Sequence, residues 1–324
     1  MNKKLKKISF ITLPIALGVF LIWYSLSKLT DNDFKSIKTS FRTANYWWVL
    51  LSLAFGALSH LSRAYRWQFL LEPLGYKPKL ANSIMAVLIA YLLNLVVPRS
   101  GEIARAASIK KYENIPFKKA FGTIVAERVS DVIMLFCIIG IAFILQTELI
   151  SSYIFKEGDG SIYTKIIVFG VIPFTGFLTY WFLKKSENPV IQKILLFING
   201  LFDGVKSIYK MKKKWKFLFH TIFIWAMYVL MFYAVTFALP ETTNLPFSAI
   251  IVGFVVGGLS MALTNGGLGT YPVFVASALI LYNVDDNPAR AFGWIMWTAQ
   301  TVMVILFGGL SFLFLPIYNK YQKE

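Results

Sequence analysis

Residues 94–136 read NLVVPRSGEIARAASIKKYENIPFKKAFGTIVAERVSDVIMLF, and this stretch decides the fold. An apolar run at 81–97 reaches the break PRSG at residues 98–101, and a short helical pattern at 102–111, a polar turn and a long apolar run follow it. Lipid offers no partner for backbone N–H and C=O groups, so a break at membrane depth must line protein or a cavity. We interpret this stretch as a re-entrant hairpin, which enters the membrane and returns to the same side. Two full crossings, out and back, would give the same sidedness.

The composition assigns the chain to the membrane proteins. Of its 324 residues, 57% are hydrophobic and only 15% are charged, whereas a soluble domain keeps about 25% charged residues. The net charge is +17, but the basic residues lie between apolar runs, which is typical of orientation signals in membrane proteins. We therefore expect no nucleic-acid partner and no soluble domain large enough to act alone.

Six continuous apolar runs are candidates for crossing the bilayer, which takes about 20 residues per helix. The first run follows four lysines, and the SKLTDND after it contains no small-residue cleavage site, so we expect a retained anchor. The six runs are residues 9–27, 46–61, 120–146, 162–183, 217–239 and 290–318.

A second interrupted stretch resembles the first. Residues 247–263 are apolar, TNGGLGT breaks them at 264–270, and residues 271–282 resume the apolar pattern. Each break leads into a short helix, a turn running from tyrosine to proline, and a long apolar helix. The tripeptide Ala-Phe-Gly opens both long helices, at residues 120–122 and 291–293.

Two broken units of this kind indicate an inverted repeat, the pattern of many transporters. The predicted fold is an all-α polytopic membrane protein with about six crossing helices and two oppositely oriented re-entrant helical hairpins. We expect a single transmembrane domain over residues 1–324, with a first repeat at about 46–146 and a second at about 217–318. A pair of kinked helices with structural glycines is the alternative.

Positive charge is distributed unevenly between the two sides that this topology defines. The side of the N-terminus holds 25 Lys and Arg, and the opposite side holds 7, together with 8 acids. Basic loops stay in the cytoplasm, so we expect both termini to be cytoplasmic and the protein to lie in the cytoplasmic (inner) membrane. The basic segment at 184–216 either enforces this orientation or forms an amphipathic helix that holds anionic headgroups.

Charged residues inside apolar runs are costly and are usually paired or functional. Glu127 and Asp131 are spaced i and i+4, so both carboxylates face one side of their helix. The first hairpin offers cationic and acidic partners for a salt-bridge cluster, which would serve either as a structural lock or as a phosphate site with arginine forks. The charged candidates for headgroup binding are Arg99, Glu102, Arg105, Glu127, Arg128 and Asp131.

The glycine-rich breaks supply a second set of candidate headgroup contacts. Glycines permit the turn and let a ligand approach the backbone closely, and the helices that resume would aim their positive N-terminal dipoles at the cavity. The expected ligand is a negatively charged group such as a lipid phosphate. This set contains Gly101, Asn265, Gly266, Gly267, Gly269 and Thr270.

Several other polar residues have simpler explanations. Arg63 and Arg66 stand at the cytoplasmic end of the second apolar run, where we expect peripheral side chains that snorkel or meet headgroups. His60 and His220 are far apart in sequence and fit interfacial or packing positions better than ligand positions. Cys137 is the only cysteine, so it forms no disulfide framework. We expect no metal, no cofactor and no catalytic residue.

The stretch at 94–136, together with NGGLGTYP at 265–272, resembles the transmembrane flippase-like domain of the lysylphosphatidylglycerol synthase family. A P-R-x-G-E-x-x-R segment, an E-R-x-x-D helix and a Gly-Gly-x-Gly segment recur in that family. By position, the matched residues are Pro98, Arg99, Gly101, Glu102, Arg105, Glu127, Arg128, Asp131, Gly266, Gly267 and Gly269. The second repeat has Thr298, Ala299 and Val302 where an E-R-x-x-D motif would fall, so two-fold symmetry of the site chemistry is broken.

The resemblance implies translocation of a lipid. Bifunctional members of the family join this domain to a cytosolic aminoacyl transferase, and because this sequence stops at Glu324 we expect no aminoacyl transfer and no enzyme. The leading hypothesis is a carrier for a phospholipid or a lipid-linked phosphate, with anionic or phosphate-bearing lipids as partners. The alternatives are a non-transporting subunit that recruits an envelope enzyme and, less favoured, a membrane enzyme acting on lipid phosphates. Oligomeric state is left open.

Overall fold

The computed structural model describes residues 29–146 and 208–320, with scattered single positions between 16 and 27 and between 170 and 206. The predicted crossing runs at 9–27 and 162–183 lie largely outside the described residues, and the basic segment at 184–216 is described continuously only from residue 208. The continuous described ranges are helical, which confirms the predicted all-α class.

Nine α-helices make up these ranges, and three short 3₁₀ turns connect or break them. The α-helices are α1 (Asp31–Thr43), α2 (Tyr46–Leu71), α3 (Leu80–Val96), α4 (Ser100–Glu113), α5 (Phe117–Leu145), α6 (Lys214–Thr236), α7 (Phe247–Leu263), α8 (Thr270–Ile280) and α9 (Asp286–Lys320). The 3₁₀ turns are Glu72–Leu74, Pro240–Thr242 and Asn265–Gly267.

Three of these helices, α5, α6 and α9, are long and apolar enough to cross a membrane. All three were predicted as crossing runs. Helix α2 has 26 residues, which is ample length for a crossing, but it continues ten residues beyond its predicted end at residue 61. That extension carries Arg63 and Arg66 and makes the helix less apolar than the other three.

The described chain divides into two compact units. The first contains residues 1–127 and 215–324, and the second contains residues 128–214. Of the second unit the structure describes mainly the outer two-thirds of α5 and a short stretch before α6. Both hairpins belong to the first unit, as do Arg63, Arg66, Arg105 and Glu127.

Both interrupted stretches form helical hairpins that break where the sequence predicts. In hairpin 1, α3 and α4 are joined by a turn in which Arg99 adopts a left-handed φ of 60°. A methyl group on Gly101 would collide with the carbonyl of Ala90, so the two arms lie backbone to backbone. In hairpin 2, α7 and α8 are joined by a glycine-rich turn in which Gly266 and Gly269 have φ angles of 61° and 72°, values that glycine adopts without strain.

Helix α9 shows how the hairpins are oriented. Near its C-terminal end, Asn319 bonds to Asn82 at the start of α3, and a Cβ on Gly308 would lie 2.6 Å from the Cβ of Leu92, near the end of α3. Hairpin 1 therefore runs along the C-terminal half of α9 towards its middle.

Hairpin 2 occupies the other half of the same helix. The indole of Trp297 donates to the carbonyl of Gly266 at 2.9 Å, and a Cβ on Gly293 would lie 2.5 Å from the carbonyl of Pro272 in α8. From these contacts α8 leads back towards the N-terminal end of α9. A 35-residue helix is about 52 Å long, so the two hairpins approach from opposite ends, as an inverted repeat requires.

The tips of the two hairpins meet. A Cβ on Gly266 would collide with the side chain of Leu95, and its distance to the Leu95 Cα would be 4.0 Å. The amide Nδ2 of Asn265 donates to the carbonyl of Val96 at 3.2 Å. The last turn of α3 in hairpin 1 therefore contacts the broken turn of hairpin 2.

Hydrogen bonds at the two ends of the first unit group the connecting segments as the charge distribution predicts. At one end, the backbone N–H of Asn45 donates to Ala238 at 2.8 Å, and Asn287 donates to Asp33 at 2.9 Å. At the other end, the carboxylate of Glu113 accepts from the backbone N–H of Lys79 at 3.0 Å. The segments around 28–45, 238–246 and 283–290, which carry little positive charge, therefore share one end, and the more basic segments around 63–80 and 98–119 share the other.

The apolar core lies between the second hairpin and the helices α6 and α9. The rings of Phe232 and Phe292 are 5.2 Å apart, and both side chains are fully buried. Gly253 in α7 faces the Phe232 ring, where an added Cβ would lie 2.6 Å away. In a membrane, small residues of this kind stabilise helix packing because they let helices approach closely. The core thus holds hairpin 2 firmly beside α9.

Candidate functional site

A buried ionic cluster joins helices α2, α4 and α5 in the first unit. The carboxylate of Glu127 in α5 contacts Nη1 of Arg63 at 2.8 Å, Nη2 of Arg66 at 3.3 Å and Nη2 of Arg105 at 2.9 Å. Arg63 and Arg66 come from α2, and Arg105 comes from α4 of hairpin 1. We call these four residues the arginine cluster.

Arg105 binds Glu127 as a two-pronged fork. Its Nη1 donates to Oε1 at 3.2 Å and its Nη2 donates to Oε2 at 2.9 Å. The guanidinium lies 3.8 Å from the centroid of the Trp67 ring, and the indole N–H of Trp67 donates to the Thr123 hydroxyl at 2.8 Å. Fork geometry and a stacked indole fix the plane of the guanidinium, so hairpin 1 is held at a defined position against α2 and α5.

Arg66 connects α6 to the same cluster. Its Nη1 donates to the hydroxyl of Thr221 at 2.9 Å, and its guanidinium lies 5.3 Å from the centroid of the Phe217 ring. The side chain is fully buried. The arginine cluster therefore joins four helices, α2, α4, α5 and α6.

The electrostatics of the cluster favour an anion. Its four members carry three positive charges against one negative charge, and none of the side chains is more than 5% exposed. Burying a charge is costly unless opposite charge compensates it. Glu102, one turn before Arg105 on α4, is half-buried. These four residues by themselves therefore carry a net positive charge.

The prediction that Arg63 and Arg66 are peripheral is wrong. Both side chains are buried and ion-paired, because α2 continues as a helix to Leu71 and turns them towards Glu127 rather than towards the membrane surface. Their i, i+3 spacing on one helix face was the available signal. The apparent end of the apolar run at residue 61 concealed it.

The other two candidate arginines are both exposed. Arg99, at the tip of hairpin 1, is exposed. Arg128 belongs to the second unit, where its half-exposed guanidinium lies 3.8 Å from the buried carboxylate of Asp131. The predicted pairing of Arg105 with Glu127 is thus present, and the other two arginines around that carboxylate are Arg63 and Arg66.

Two threonines of hairpin 2 form a separate hydrogen-bonded group at its tip, and Asn265, which directly follows Thr264, bonds instead to Val96. The hydroxyls of Thr264 and Thr270 are 2.8 Å apart. Thr270 also contacts the Ser260 carbonyl at 2.9 Å, and Thr264 contacts the Leu268 carbonyl at 3.0 Å. We call Ser260, Thr264, Asn265 and Thr270 the tip group. Asn265 and Thr270 were predicted from the sequence, whereas Ser260 and Thr264 were not.

The histidines occupy packing positions. His60 is buried, and its ring centroid lies 4.3 Å from that of Tyr91. His220 bonds through Nδ1 to the Ser62 hydroxyl at 2.8 Å. Within the part of the chain that the structure describes, no group of three or more His, Cys, Asp or Glu side chains is arranged to hold a metal ion.

Together these features define a polytopic all-α membrane protein with two opposed helical hairpins and a buried, net-positive arginine cluster. The chain belongs to the family described as the lysylphosphatidylglycerol synthase TM region, whose model matches residues 11–309.

Individual relatives support the assignment. A UPF0104 membrane protein of Methanocaldococcus jannaschii is 24% identical over 286 residues, which cover 79% of this chain and 81% of that protein. Another from Pyrococcus horikoshii is 28% identical over 144 residues, which cover 43% of this chain and 41% of that protein. A glycosyltransferase of Haloferax volcanii is 32% identical over 83 residues, which cover 25% of this chain and 13% of that protein. No solved structure shows a significant match.

Proposed function

We propose that the protein is a lipid translocase, a carrier that moves a phospholipid or another phosphate-bearing lipid between the leaflets of the cytoplasmic membrane. The observation that carries the proposal is the meeting of the two opposed hairpin tips beside the middle of α9. Discontinuous helices that meet near the midplane are the usual place of substrate sites in inverted-repeat transporters. Separation of Leu95 from Gly266 would open a path for the lipid between the two hairpin tips.

The arginine cluster is the proposed headgroup site. Guanidinium groups match the geometry of phosphate oxygens, and the excess positive charge of the cluster suits an anionic headgroup. Glu127 keeps the arginines aligned while the site is empty. Because the cluster is buried, we assign the described conformation to an occluded state, from which motion of hairpin 1 would expose Arg105.

The proposed orientation places both termini in the cytoplasm. Four of the 25 basic residues counted on that side, Arg63, Arg66, Arg99 and Arg105, lie in the hairpin tip or the buried cluster rather than in loops, which leaves 21 against 7. The bias survives the correction, so the positive-inside rule still favours this orientation.

The test is translocation of fluorescent lipids in proteoliposomes, measured as the fraction of label that a membrane-impermeant quencher reaches. Anionic, zwitterionic and aminoacylated phospholipids are compared with a lipid-linked sugar phosphate, which is included because one relative is named a glycosyltransferase. Arg105→Gln is the test variant. Arg290→Gln is its matched control, since Arg290 pairs with Asp286 at the far end of α9.

Wild-type transport that Arg105→Gln abolishes and Arg290→Gln preserves would support the proposal, once both variants are shown to be folded. Transport that is equal in all three proteins would remove the cluster from the substrate path. Absence of transport for every lipid in the series would count against a translocase.

Burial of the cluster also favours a second candidate, a non-transporting subunit that recruits an envelope enzyme. In that case the four ionic side chains act only as a structural lock between α2, α4, α5 and α6. A wild-type protein that moves none of the lipids but co-purifies with one envelope enzyme in a defined ratio would favour this candidate.

A further inference from the structure

We propose that the tip group of hairpin 2 is a binding site for a monovalent cation, Na⁺ in the first instance. The inference goes beyond lipid transport and is independent of the arginine cluster. It rests on two separate observations within the tip: a shortage of protons among closely spaced oxygens and a buried amide oxygen that has no partner.

The shortage of protons follows from counting hydroxyl hydrogens. Three oxygen–oxygen contacts run through Thr264 and Thr270: 2.8 Å between the two hydroxyls, 2.9 Å to the Ser260 carbonyl and 3.0 Å to the Leu268 carbonyl. Each hydroxyl carries one proton. Two hydroxyl hydrogens can form only two of these three hydrogen bonds. At any moment, therefore, one pair of oxygens is in contact without a hydrogen between them.

Asn265 supplies the second observation. Its side chain is 7% exposed, and among the described residues its Oδ1 has no hydrogen-bond partner. The amide cannot simply be turned over, because its Nδ2 donates to the Val96 carbonyl, and turning it would set two acceptors against each other. A buried polar atom without a partner is costly, so an electron-rich oxygen is held at the junction of the tips.

A monovalent cation accounts for both observations. The oxygens come from hydroxyl, amide and carbonyl groups, and the recorded contacts of the tip group involve no carboxylate among the described residues. Sites for Ca²⁺ and Mg²⁺ rely on carboxylates, whereas unwound carbonyls at broken transmembrane helices can coordinate Na⁺. Thr264 and Asn265 directly follow α7, where terminal carbonyls lack helical partners.

The location suggests what the cation would do. Asn265 contacts Val96 of hairpin 1 through one end of its amide, and its other end would bind the ion. Cation binding would therefore stabilise the closed junction of the two tips, and release would favour its parting.

The test is thermal unfolding of the purified protein in detergent, in chloride salts of Na⁺, Li⁺, K⁺ and choline at constant ionic strength. We expect a saturable rise in Tm of about 5 °C or more with Na⁺ over choline. Thr270→Val keeps the shape of the side chain but removes its hydroxyl, and it should abolish the Na⁺ effect. Thr236→Val is the matched control, because the Thr236 hydroxyl is also buried but bonds to Tyr233 in α6.

A second variant keeps the test informative even if Thr270→Val does not fold. Asn265→Asp adds a negative charge at the proposed ligand and should lower the Na⁺ concentration of half-maximal stabilisation about tenfold. Equal Tm values in all four salts would overturn the proposal, as would a Na⁺ effect that Thr270→Val and Asn265→Asp both leave unchanged. This test measures no lipid movement, so its failure would not contradict the proposed translocase. Failure of the lipid assay would likewise not contradict the cation site.

Discussion

Arg105 and Glu127 face each other through two parallel hydrogen bonds of 3.2 and 2.9 Å, and this fork joins hairpin 1 to the long helix α5. The two residues are 22 positions apart in the sequence. The same carboxylate also binds Arg63 and Arg66, so a single acid holds three buried cations in place.

Removing the charge of Glu127 should therefore lower the thermal stability of the protein more than removing any one arginine. Glu127→Gln leaves three guanidinium groups buried without their shared counter-ion, and loss of one partner from a buried pair costs about 3–5 kcal/mol. The expected result is a lowered Tm in detergent. Glu241→Gln, at an exposed position of the Pro240–Thr242 turn, should leave Tm unchanged. Equal Tm values for both variants would show that the cluster does not stabilise the fold.

The packing of hairpin 1 gives a second prediction with an internal control. Gly101→Ala places a methyl group against the Ala90 carbonyl, whereas nothing lies within 4 Å of the corresponding position on Gly122. We expect Gly101→Ala to destabilise the protein by about 1–3 kcal/mol, as overpacking does. Gly122→Ala should be neutral or stabilise by up to about 1 kcal/mol, because alanine favours helix. Chemical unfolding of both variants checks this, and a stable Gly101→Ala protein would contradict the close approach of the two arms.

The hydrogen bonds of Asp33, in the first turn of α1, should make the thermal stability of the protein depend on pH. The hydrogen bond from Asn287, followed by those from the backbone and hydroxyl of Thr30, lowers the pKa of Asp33 from 3.8 to about 2. A lowered folded-state pKa means that the contribution is complete above pH 4 and is lost as the pH falls towards 2. Asp33→Asn should therefore flatten the fall in Tm between pH 4 and 2. Asp31→Asn, at an exposed neighbouring position, should leave that fall as steep as in the wild type.

Sidedness can be tested directly with cysteines. In a Cys137→Ala background, Thr243→Cys lies in the segment between α6 and α7, and Lys118→Cys lies at the start of α5. The proposed orientation requires an impermeant maleimide to label Thr243→Cys in intact cells and Lys118→Cys only after the membrane is opened. Labelling with the opposite order would reverse the assignment of both termini.

Much of this architecture could be predicted from the sequence because its signals are local. The breaks PRSG and TNGGLGT locate both hairpins, and the observed helices α3, α4, α7 and α8 end within two residues of the predicted runs. Backbone that leaves the helix inside an apolar run has few structural alternatives, so the break itself locates each hairpin.

The site was only partly predictable, because its remaining contacts join segments far apart in the chain. Arg105 and Glu127 were recognised as partners, since they belong to neighbouring helices. Arg63 is 64 positions from Glu127, and nothing in the local pattern around Arg63 indicates which helix it faces. The meeting of Leu95 with Gly266 depends in the same way on the packing of both hairpins against α9.

The most direct test of the proposed carrier is to lock the two hairpin tips together reversibly. A Cβ on Gly266 would lie 4.0 Å from the Cα of Leu95, which suits a disulfide between Leu95→Cys and Gly266→Cys in the Cys137→Ala background. A protease site inserted in segment 184–216 reports the bond, since the cysteines lie on either side of it. We predict that oxidation stops lipid translocation, that reduction restores it, and that each single-cysteine protein is insensitive to oxidant. Equal translocation in the fully cross-linked and reduced protein would contradict the account.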